Sequence, residues 1–202
     1  MSSSSLVIFL HGVGANGADL APLGEHWRSL LPAAAFEAPD APFAFDQGGR
    51  GRQWFSIAGV NAGNRGDRIR TARGAFDTVV SGLIAAHGLS ERLDRVAFVG
   101  FSQGSIMALD ALATGRWPVA AIVAFAGRLA TPEPLAPSPA TRTLLIHGTA
   151  DPVIPAEESQ VAEAALKAAG ADVSLSLQPN VGHTIGMEGA ALAAGFLSRV
   201  LR

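Results

Sequence analysis

Short apolar runs alternate with helical patterns along this chain of 202 residues. Each run is apolar or β-branched enough to be covered on both faces, which is typical of strands in a parallel sheet with helices on either side. The pattern therefore predicts an α/β fold with a mostly parallel six-stranded sheet. The predicted strands lie near 6–10, 33–37, 95–99, 119–125, 142–147 and 172–178, and the predicted helices at about 19–31, 70–87, 102–114, 156–169 and 188–201.

The composition indicates one compact globular domain. Hydrophobic residues make up 49% of the chain and charged residues 16%, so a chain of this length can bury a sizeable core. We expect a single domain over residues 6–202, preceded by a short, disordered polar tail over residues 1–5. The chain contains no cysteine, which excludes disulfides and thiolate metal sites.

Charge and hydropathy restrict the partners of the chain. The net charge of -2 argues against nucleic acid as the main partner. The tail lacks a basic segment, and the apolar stretch 6–10 is too short for a signal sequence or a membrane span. We therefore expect no stable membrane insertion and a cytoplasmic location. The pattern is compatible with a homodimer as well as with a monomer.

A G-x-S-x-G motif occupies residues 100–104, between the predicted strand 95–99 and a run of small residues typical of a helix. In that context the two glycines let helix and strand cross closely, and the serine is lifted above the edge of the sheet. Ser102 is therefore a candidate nucleophile. Such a nucleophile needs a base for its proton and N–H donors for the oxyanion that forms. The backbone N–H of Gln103 is one candidate donor.

A second glycine-rich segment follows the first predicted strand. Gly12, Gly14 and Gly17 form a G-x-G-x-x-G pattern, with Glu37 about 20 residues further on. This arrangement is also typical of a dinucleotide-binding site, in which the helix begins inside the glycine run. The segment therefore leaves a nucleotide cofactor open as an alternative.

The position of a proline disfavours the dinucleotide interpretation. A helix that begins at Gly14 would contain Pro22 in its third turn, at a cost of about 3 kcal/mol or more. If Asp19 caps the helix instead, Pro22 falls in the tolerated first turn. The glycine run then remains a loop, and the Val13 N–H is free to face a substrate oxygen.

Five histidines are candidates for the base. His183 lies in a loop between the last predicted strand and the last predicted helix, where an imidazole can reach across the strand ends. His26 and His87 lie on predicted helices. His11 and His147 each occupy a strand-end His-Gly pair, where a packed histidine bonded to backbone is the simpler interpretation. His183 is preferred because it completes the chain order Ser, Asp, His.

Asp151 is the preferred acid because it follows the predicted strand 142–147 in a turn before a proline. A turn-forming aspartate is the alternative role. Asp172, at a strand start, and Glu157, in a helix first turn, are weaker candidates. A carboxylate at Asp151 can accept from one ring nitrogen of His183 and leave the other free to take the serine proton.

Taken together, these segments resemble the phospholipase/carboxylesterase family of α/β-hydrolases, which includes acyl-protein thioesterases and small bacterial carboxylesterases. The resemblance covers nearly the whole chain and is carried by residues 10–14, 52–57, 100–104, 147–155 and 182–185. It implies an α/β-hydrolase fold and no metal or organic cofactor. It also implies a triad of Ser102, Asp151 and His183, and an oxyanion hole made by the backbone N–H groups of Val13 and Gln103.

The chain departs from this family in two places. Family members usually have more chain before the first strand of the pattern, so we expect a trimmed sheet with six parallel strands. Ser56 stands where the family often has an acidic residue, which affects substrate preference rather than the chemistry.

The irregular segment 39–67 is longer than most connections inside a domain, and such loops are usually functional or mobile. As a group its apolar residues are therefore candidates for the wall that binds an acyl group, although for any single one buried core is the preferred interpretation. These residues are Phe43, Phe45, Trp54, Phe55 and Ile57.

The preferred hypothesis is a serine hydrolase that cleaves small carboxylic esters or thioesters with an apolar acyl group through an acyl-enzyme. One alternative is a nucleotide-dependent oxidoreductase that uses the glycine-rich loop, which leaves Ser102, Asp151 and His183 unexplained. The other is a non-catalytic α/β-hydrolase domain used for binding. It is disfavoured because all three residue types occur in order.

Overall fold

The computed structural model describes residues 4–201. Over these residues the chain forms eight β-strands, five α-helices and two short 3-10 helices. The strands are β1 (Ser5–Leu10), β2 (Ala34–Glu37), β3 (Phe43–Ala44), β4 (Arg52–Gln53), β5 (Val96–Phe101), β6 (Ala121–Phe125), β7 (Arg142–Gly148) and β8 (Asp172–Gln178). The helices are α1 (Ala21–Trp27), α2 (Arg65–Ala86), α3 (Gln103–Ala113), α4 (Glu157–Ala168) and α5 (Met187–Val200), and the 3-10 helices are Gly17–Asp19 and Leu93–Arg95.

Six strands form one sheet in the order β2-β1-β5-β6-β7-β8, and every neighbouring pair is parallel. The predicted six-stranded parallel sheet of an α/β fold is thus confirmed. Because the strands run in one direction, the loops that follow them leave from the same edge, where α/β proteins bind their ligands. At this edge Leu10 pairs with Gly100, and His147 pairs with Leu177. The loops after β1 and β5 therefore start side by side, as do those after β7 and β8.

The sheet is covered on both faces, which explains why its strands look uniformly apolar in the sequence. In β1, Leu6, Ile8 and Leu10 pack into a core shared with α2, α3 and α4. The alternate residues Val7 and Phe9 pack into a second core shared with α1 and α5. Side chains of a strand point alternately to opposite faces, so one short strand supplies both cores.

The first strand begins earlier than predicted. Ser5 belongs to β1 rather than to the tail: it is 2% exposed and pairs with Ala34 of β2. The strand extends past the apolar run because its backbone continues to find a partner in β2. Residues 1–3 lie outside the described part of the chain, so the prediction of a disordered tail there stays a prediction.

The predicted helix 19–31 is also wrong in its bounds. The chain first forms the 3-10 helix Gly17–Asp19, whose cap is Asn16. The Asn16 side chain accepts from the Ala18 N–H, and the Asp19 carboxylate accepts from the Asn16 N–H, each at 2.9 Å. Asp19 thus completes a capping box instead of capping α1, and α1 starts later with Pro22 in its first turn.

The long segment 39–67 contains a small hairpin that was not predicted. Its strands β3 and β4 are antiparallel and two residues long. The guanidinium of Arg52 donates to the carbonyl oxygens of Ala41 and Pro42 at 2.8 and 2.7 Å, which fixes the start of the segment to its middle. Across residues 4–201, no helix is both long and apolar enough to cross a membrane.

Candidate active site

Ser102 occupies the sharp turn between β5 and α3. Its backbone has φ 52° and ψ -113°, a positive φ that a residue with a side chain rarely adopts. The flanking glycines permit this turn. A Cβ at Gly104 would lie 1.9 Å from the Leu10 carbonyl oxygen, and one at Gly100 would lie 2.5 Å from the Ser105 nitrogen. The structure therefore has the geometry that the G-x-S-x-G motif requires.

Three side chains from separate loops meet at this turn. His183 Nε2 lies 3.0 Å from Ser102 Oγ, and His183 Nδ1 lies 2.6 Å from Asp151 Oδ2. Since a carboxylate only accepts, Nδ1 carries the ring proton, and Nε2 is left to accept from the serine hydroxyl. The arrangement places an imidazole acceptor on the one proton that must leave for Ser102 to act as a nucleophile.

The Asp151 carboxylate is fixed from both sides. Its Oδ1 accepts from the backbone N–H groups of Val153 and Ile154, at 2.8 and 2.9 Å, while Oδ2 faces His183. Burial acts to raise the pKa of Asp151, but the hydrogen bonds from His183, Ile154 and Val153 outweigh it and hold the pKa below its ordinary value. The carboxylate therefore stays ionised where it can orient the imidazole.

A second histidine contacts this carboxylate. His147 is buried, its Nε2 lies 2.8 Å from the Ile154 carbonyl oxygen and 3.2 Å from Asp151 Oδ2, and its Nδ1 lies 2.6 Å from Ser159 Oγ. The predicted packing of His147 against backbone is confirmed, but its contact with Asp151 was missed. The signal was present in the sequence, because His147 stands four positions before Asp151, near the end of the strand that leads into the Asp151 turn.

The two predicted oxyanion donors lie beside Ser102. Neither the Val13 N–H nor the Gln103 N–H has an acceptor among residues 4–201. A Cβ at Gly12 would lie 3.4 Å from Ser102 Cβ, so the loop after β1 passes directly over the nucleophile. Val13, Ser102 and Gln103 line one cavity of about 240 Å³. Within the described part of the chain, Val13 and Gln103 thus each have an N–H group without an acceptor and line the same cavity as the serine, an arrangement that can stabilise an oxyanion.

The loop that carries Val13 is fixed to the hairpin. Gly14 N–H donates to the Arg52 carbonyl oxygen at 2.9 Å, and Arg52 N–H donates to the Ala15 carbonyl oxygen at 2.7 Å. Gly14 has a φ of 76°, and a Cβ at Gly51 would lie 2.0 Å from the Gly14 carbonyl oxygen. Gly14 favours glycine because of its positive φ, and Gly51 requires it because the two backbones touch here.

The five residues predicted to form the acyl-binding wall lie in different places in the structure. Phe55 and Ile57 line the cavity that contains Ser102. Phe45 packs over Gly14, and Phe43 is exposed and lines a different cavity. Trp54 is buried: its Nε1–H donates to the His11 carbonyl oxygen at 2.9 Å and its ring meets Phe76 edge-on. The structure therefore brings two of the five residues to Ser102 and places Trp54 in the core.

The Gln103 side chain was not predicted to act, and it ties the nucleophile turn to this wall. Its Oε1 accepts from the Trp54 N–H, and its Nε2 donates to the Phe55 carbonyl oxygen, both at 2.7 Å. The His11 side chain likewise ties the loop after β1 to the start of segment 39–67. Its Nε2 accepts from the Ala41 N–H at 2.9 Å, so Nδ1 carries the proton, and burial lowers its pKa. The predicted backbone bonding of His11 is confirmed.

The glycine-rich loop does not have the form of a dinucleotide site. The α-helix that follows begins at Ala21, beyond the last glycine of the run, whereas the helix of a dinucleotide site begins inside the run. Glu37, the acid that such a site needs for the ribose, is bonded to His87 Nε2 at 2.8 Å. Among residues 4–201, no three histidine, aspartate or glutamate side chains are grouped to hold a metal ion.

The sheet order, the strained turn at Ser102 and the hydrogen bonds from Ser102 to His183 and from His183 to Asp151 define a class of protein, the α/β-hydrolases. Comparison with known proteins agrees. The family model described as Phospholipase/Carboxylesterase matches residues 2–201. The chain belongs to this family and is a hydrolase, as the motifs of its sequence predict.

Individual relatives are similar over most of their length. Esterase YpfH of Escherichia coli (strain K12) is 34% identical over 184 residues, which cover 91% of this chain and 77% of YpfH. Acyl-protein thioesterase 1 of Gibberella zeae is 27% identical, with 98% of this chain and 91% of that protein covered. The crystal structure of esterase PE8 has a TM-score of 0.88 and 34% identity, and covers 99% of this chain and 94% of PE8.

Proposed function

We propose that this protein hydrolyses carboxylic esters or thioesters through an acyl-enzyme intermediate. The observation that carries the proposal is the unbroken row of hydrogen bonds from Asp151 to His183 to Ser102, which ends at a strained serine in a cavity. Similarity to proteins named esterase and acyl-protein thioesterase supports both leaving groups, an alcohol and a thiol.

Acylation begins when His183 Nε2 takes the proton of Ser102 Oγ as this oxygen bonds to the carbonyl carbon. The negative charge that develops on the carbonyl oxygen is stabilised by the N–H groups of Val13 and Gln103. As the carbon–oxygen or carbon–sulfur bond of the substrate breaks, His183 returns the proton to the leaving group. Asp151 stays ionised and stabilises the imidazolium.

Deacylation repeats these steps with water. His183 takes a proton from the water as its oxygen attacks the acyl-enzyme, and gives it to Ser102 Oγ when the acid leaves. Phe55 and Ile57 provide the apolar surface for the acyl group. The substrate class is therefore a small ester or thioester with an apolar acyl segment, and the chemistry calls for no metal or organic cofactor.

The test compares wild type with Ser102→Ala on 4-nitrophenyl butyrate and on butyrylthiocholine, with Ser81→Ala as the matched control. Ser81 is an exposed serine of α2 that does not line the cavity of Ser102. We expect Ser102→Ala to lower kcat on the order of 10³-fold or more, and Ser81→Ala to leave it unchanged. An organophosphonate should label wild type once, at Ser102. Equal rates in wild type and Ser102→Ala would contradict the mechanism and favour a non-catalytic binding domain.

A further inference from the structure

Two arginines line the cavity that contains Ser102. Arg65 is the first residue of α2, and Arg128 follows β6 on the loop beyond Phe125. The other residues of this cavity are largely apolar, among them Phe55 and Ile106. An uncharged acyl chain needs only apolar walls, so it does not account for two guanidinium groups in this cavity.

The positive charge of this pair is only half balanced. Arg128 Nη1 lies 3.1 Å from Glu158 Oε1, and its side chain is 15% exposed. Within residues 4–201, no carboxylate lies within 4.0 Å of the Arg65 guanidinium. Burial and the charge of Arg128 lower the pKa of Arg65, and they outweigh the charge of Glu158, which acts to raise it. One carboxylate therefore faces two guanidinium groups, and the cavity carries a net positive charge.

The dipole of α2 adds to the positive charge of the two arginines. Arg65 stands at the N-terminus of a helix of 22 residues, where the helix dipole disfavours a cation and favours an anion. The next residue, Gly66, is packed against the segment that follows Arg128: a Cβ there would lie 3.0 Å from Pro132 Cγ and 3.3 Å from the Ala130 oxygen. The segments that carry the two arginines are thus in contact, and the dipole adds to their field.

The positions of two cavities indicate which part of a substrate meets the arginines. His183 must deliver its proton to the leaving group, so the leaving group lies on the side of Ser102 that His183 occupies. Thr184, Ile185 and Phe101, whose ring centre lies 5.0 Å from that of His183, line a separate cavity of about 580 Å³. The acyl group is then on the other side, in the cavity of Arg65 and Arg128.

We propose that Arg65 and Arg128 bind a carboxylate at the far end of the acyl group, so that the preferred substrates are half-esters or half-thioesters of dicarboxylic acids. The planar fork of a guanidinium matches the two oxygens of a carboxylate, and two such forks around one carboxylate complete the charge balance that Glu158 leaves open. The inference rests on the proposed function and deepens it by naming the substrate class.

The experiment measures kcat/KM for the monoethyl esters of glutaric, adipic and suberic acid, each beside its neutral isostere in which a carboxamide replaces the free carboxylate. Wild type is expected to prefer the carboxylate by about tenfold or more at one chain length, since hydrogen bonds to charged groups are the stronger ones. Arg65→Gln and Arg128→Gln should each reduce this ratio several-fold, and the double variant should bring it to about one.

Two further variants sharpen the result. Glu158→Gln removes the competing carboxylate and should raise the ratio, which an unfolded or damaged protein would not do. Arg70→Gln is the matched control: Arg70 lies on the same helix, is exposed and pairs with Asp67 at 3.0 Å. It should leave the ratio at the wild-type value.

If the enzyme cleaves the ester bond equally well in the substrates with a free carboxylate and in those with a carboxamide, this inference is overturned and the proposed function stays intact. Hydrolysis of neither, together with no phosphonate labelling of Ser102, would overturn the proposed function itself. A third arm compares 1-butanoylglycerol 3-phosphate with 1-butanoylglycerol. A preference for the phosphate in this arm alone would place the anion in the leaving group and contradict the acyl-side assignment.

Discussion

The Gln103 side chain holds the backbone of Trp54 across 49 positions of sequence, through a hydrogen bond of 2.7 Å from the Trp54 N–H to Gln103 Oε1. The other half of the same amide donates to the Phe55 carbonyl oxygen. Gln103 therefore belongs to two parts of the site. Its N–H faces the position proposed for the oxyanion, and its side chain fixes the segment that lines the cavity.

Gln103→Leu keeps the size of this side chain and removes both hydrogen bonds. The Trp54 N–H and the Phe55 carbonyl oxygen then lose their partners while buried, and we expect a loss of about 2 kcal/mol in the free energy of unfolding. Because the cavity wall is no longer held, kcat/KM for 4-nitrophenyl butyrate should fall by about tenfold. Urea unfolding and steady-state kinetics measure the two effects. Gln160→Leu, on the exposed surface of α4, is the control; unchanged values in Gln103→Leu would show that the amide has no such role.

Asp151→Asn tests how the base is oriented. The amide oxygen of asparagine can still accept from Val153 and Ile154, but its NH₂ group then faces His183 Nδ1 and favours the tautomer with the proton on Nε2. We expect kcat to fall by about 10⁴-fold with little change in KM. Asp172→Asn, at an exposed aspartate of β8, should leave kcat unchanged. A variant Asp151→Asn with a kcat within tenfold of wild type would remove Asp151 from the triad.

We predict that His147 positions Asp151, so that replacing His147 lowers kcat through a shift of the Asp151 carboxylate. His147→Leu leaves the Ile154 carbonyl oxygen and the Ser159 hydroxyl without their partner, so we expect a loss of about 2 kcal/mol in stability. The Asp151 loop then loosens, and kcat should fall about tenfold with KM nearly constant. His147→Gln, which retains a donor towards Ile154, should recover part of both losses. Equal kcat values for wild type and His147→Leu would limit His147 to a structural role.

The parts of this site that the sequence predicts are those governed by local rules. The turn at Ser102 depends on two glycines within five residues, and the order of the strand-end loops follows from a parallel sheet. Asp151 and His183 could be placed at the same sheet edge for that reason. The distances between them and Ser102 required the structure.

The parts that were missed depend on contacts between distant segments. The Gln103 amide lies 49 positions from Trp54 and 48 from Phe55. Arg65 and Arg128 line the same cavity because the start of α2 packs on the loop after β6. No pattern within either segment indicates the other. For the same reason the aromatic residues of segment 39–67 could be listed as a wall, but Trp54 could not be separated from Phe55, because no regular period fixes where the side chains of an irregular segment point.

Asp110 gives a prediction for the pH dependence of stability. Its buried carboxylate accepts from both Nε and Nη2 of Arg73 at 2.9 and 2.8 Å, from Arg116 Nη1 at 2.9 Å and from Thr131 Oγ1 at 2.8 Å. Burial acts to raise the pKa of Asp110, but these hydrogen bonds outweigh it and hold the pKa below its ordinary value. Folding therefore favours the ionised form, and unfolding at low pH takes up a proton.

The stability that Asp110 contributes is thus fully present above the ordinary pKa of an unfolded aspartate, about 3.9, and is lost as the pH falls through the lower folded pKa. Asp110→Asn, which leaves Arg73 without its ion-pair partner and Arg116 with Asp77 alone, should cost about 3 kcal/mol at pH 6. The difference between wild type and variant should shrink when urea unfolding is repeated at about pH 3, since wild type then begins to lose the same charge. Asp172→Asn, whose carboxylate lies 3.7 Å from Arg142 at the exposed sheet edge, should differ little from wild type at either pH. A deficit for Asp110→Asn that is the same at both pH values would mean that the ionised carboxylate is not what stabilises this part of the fold.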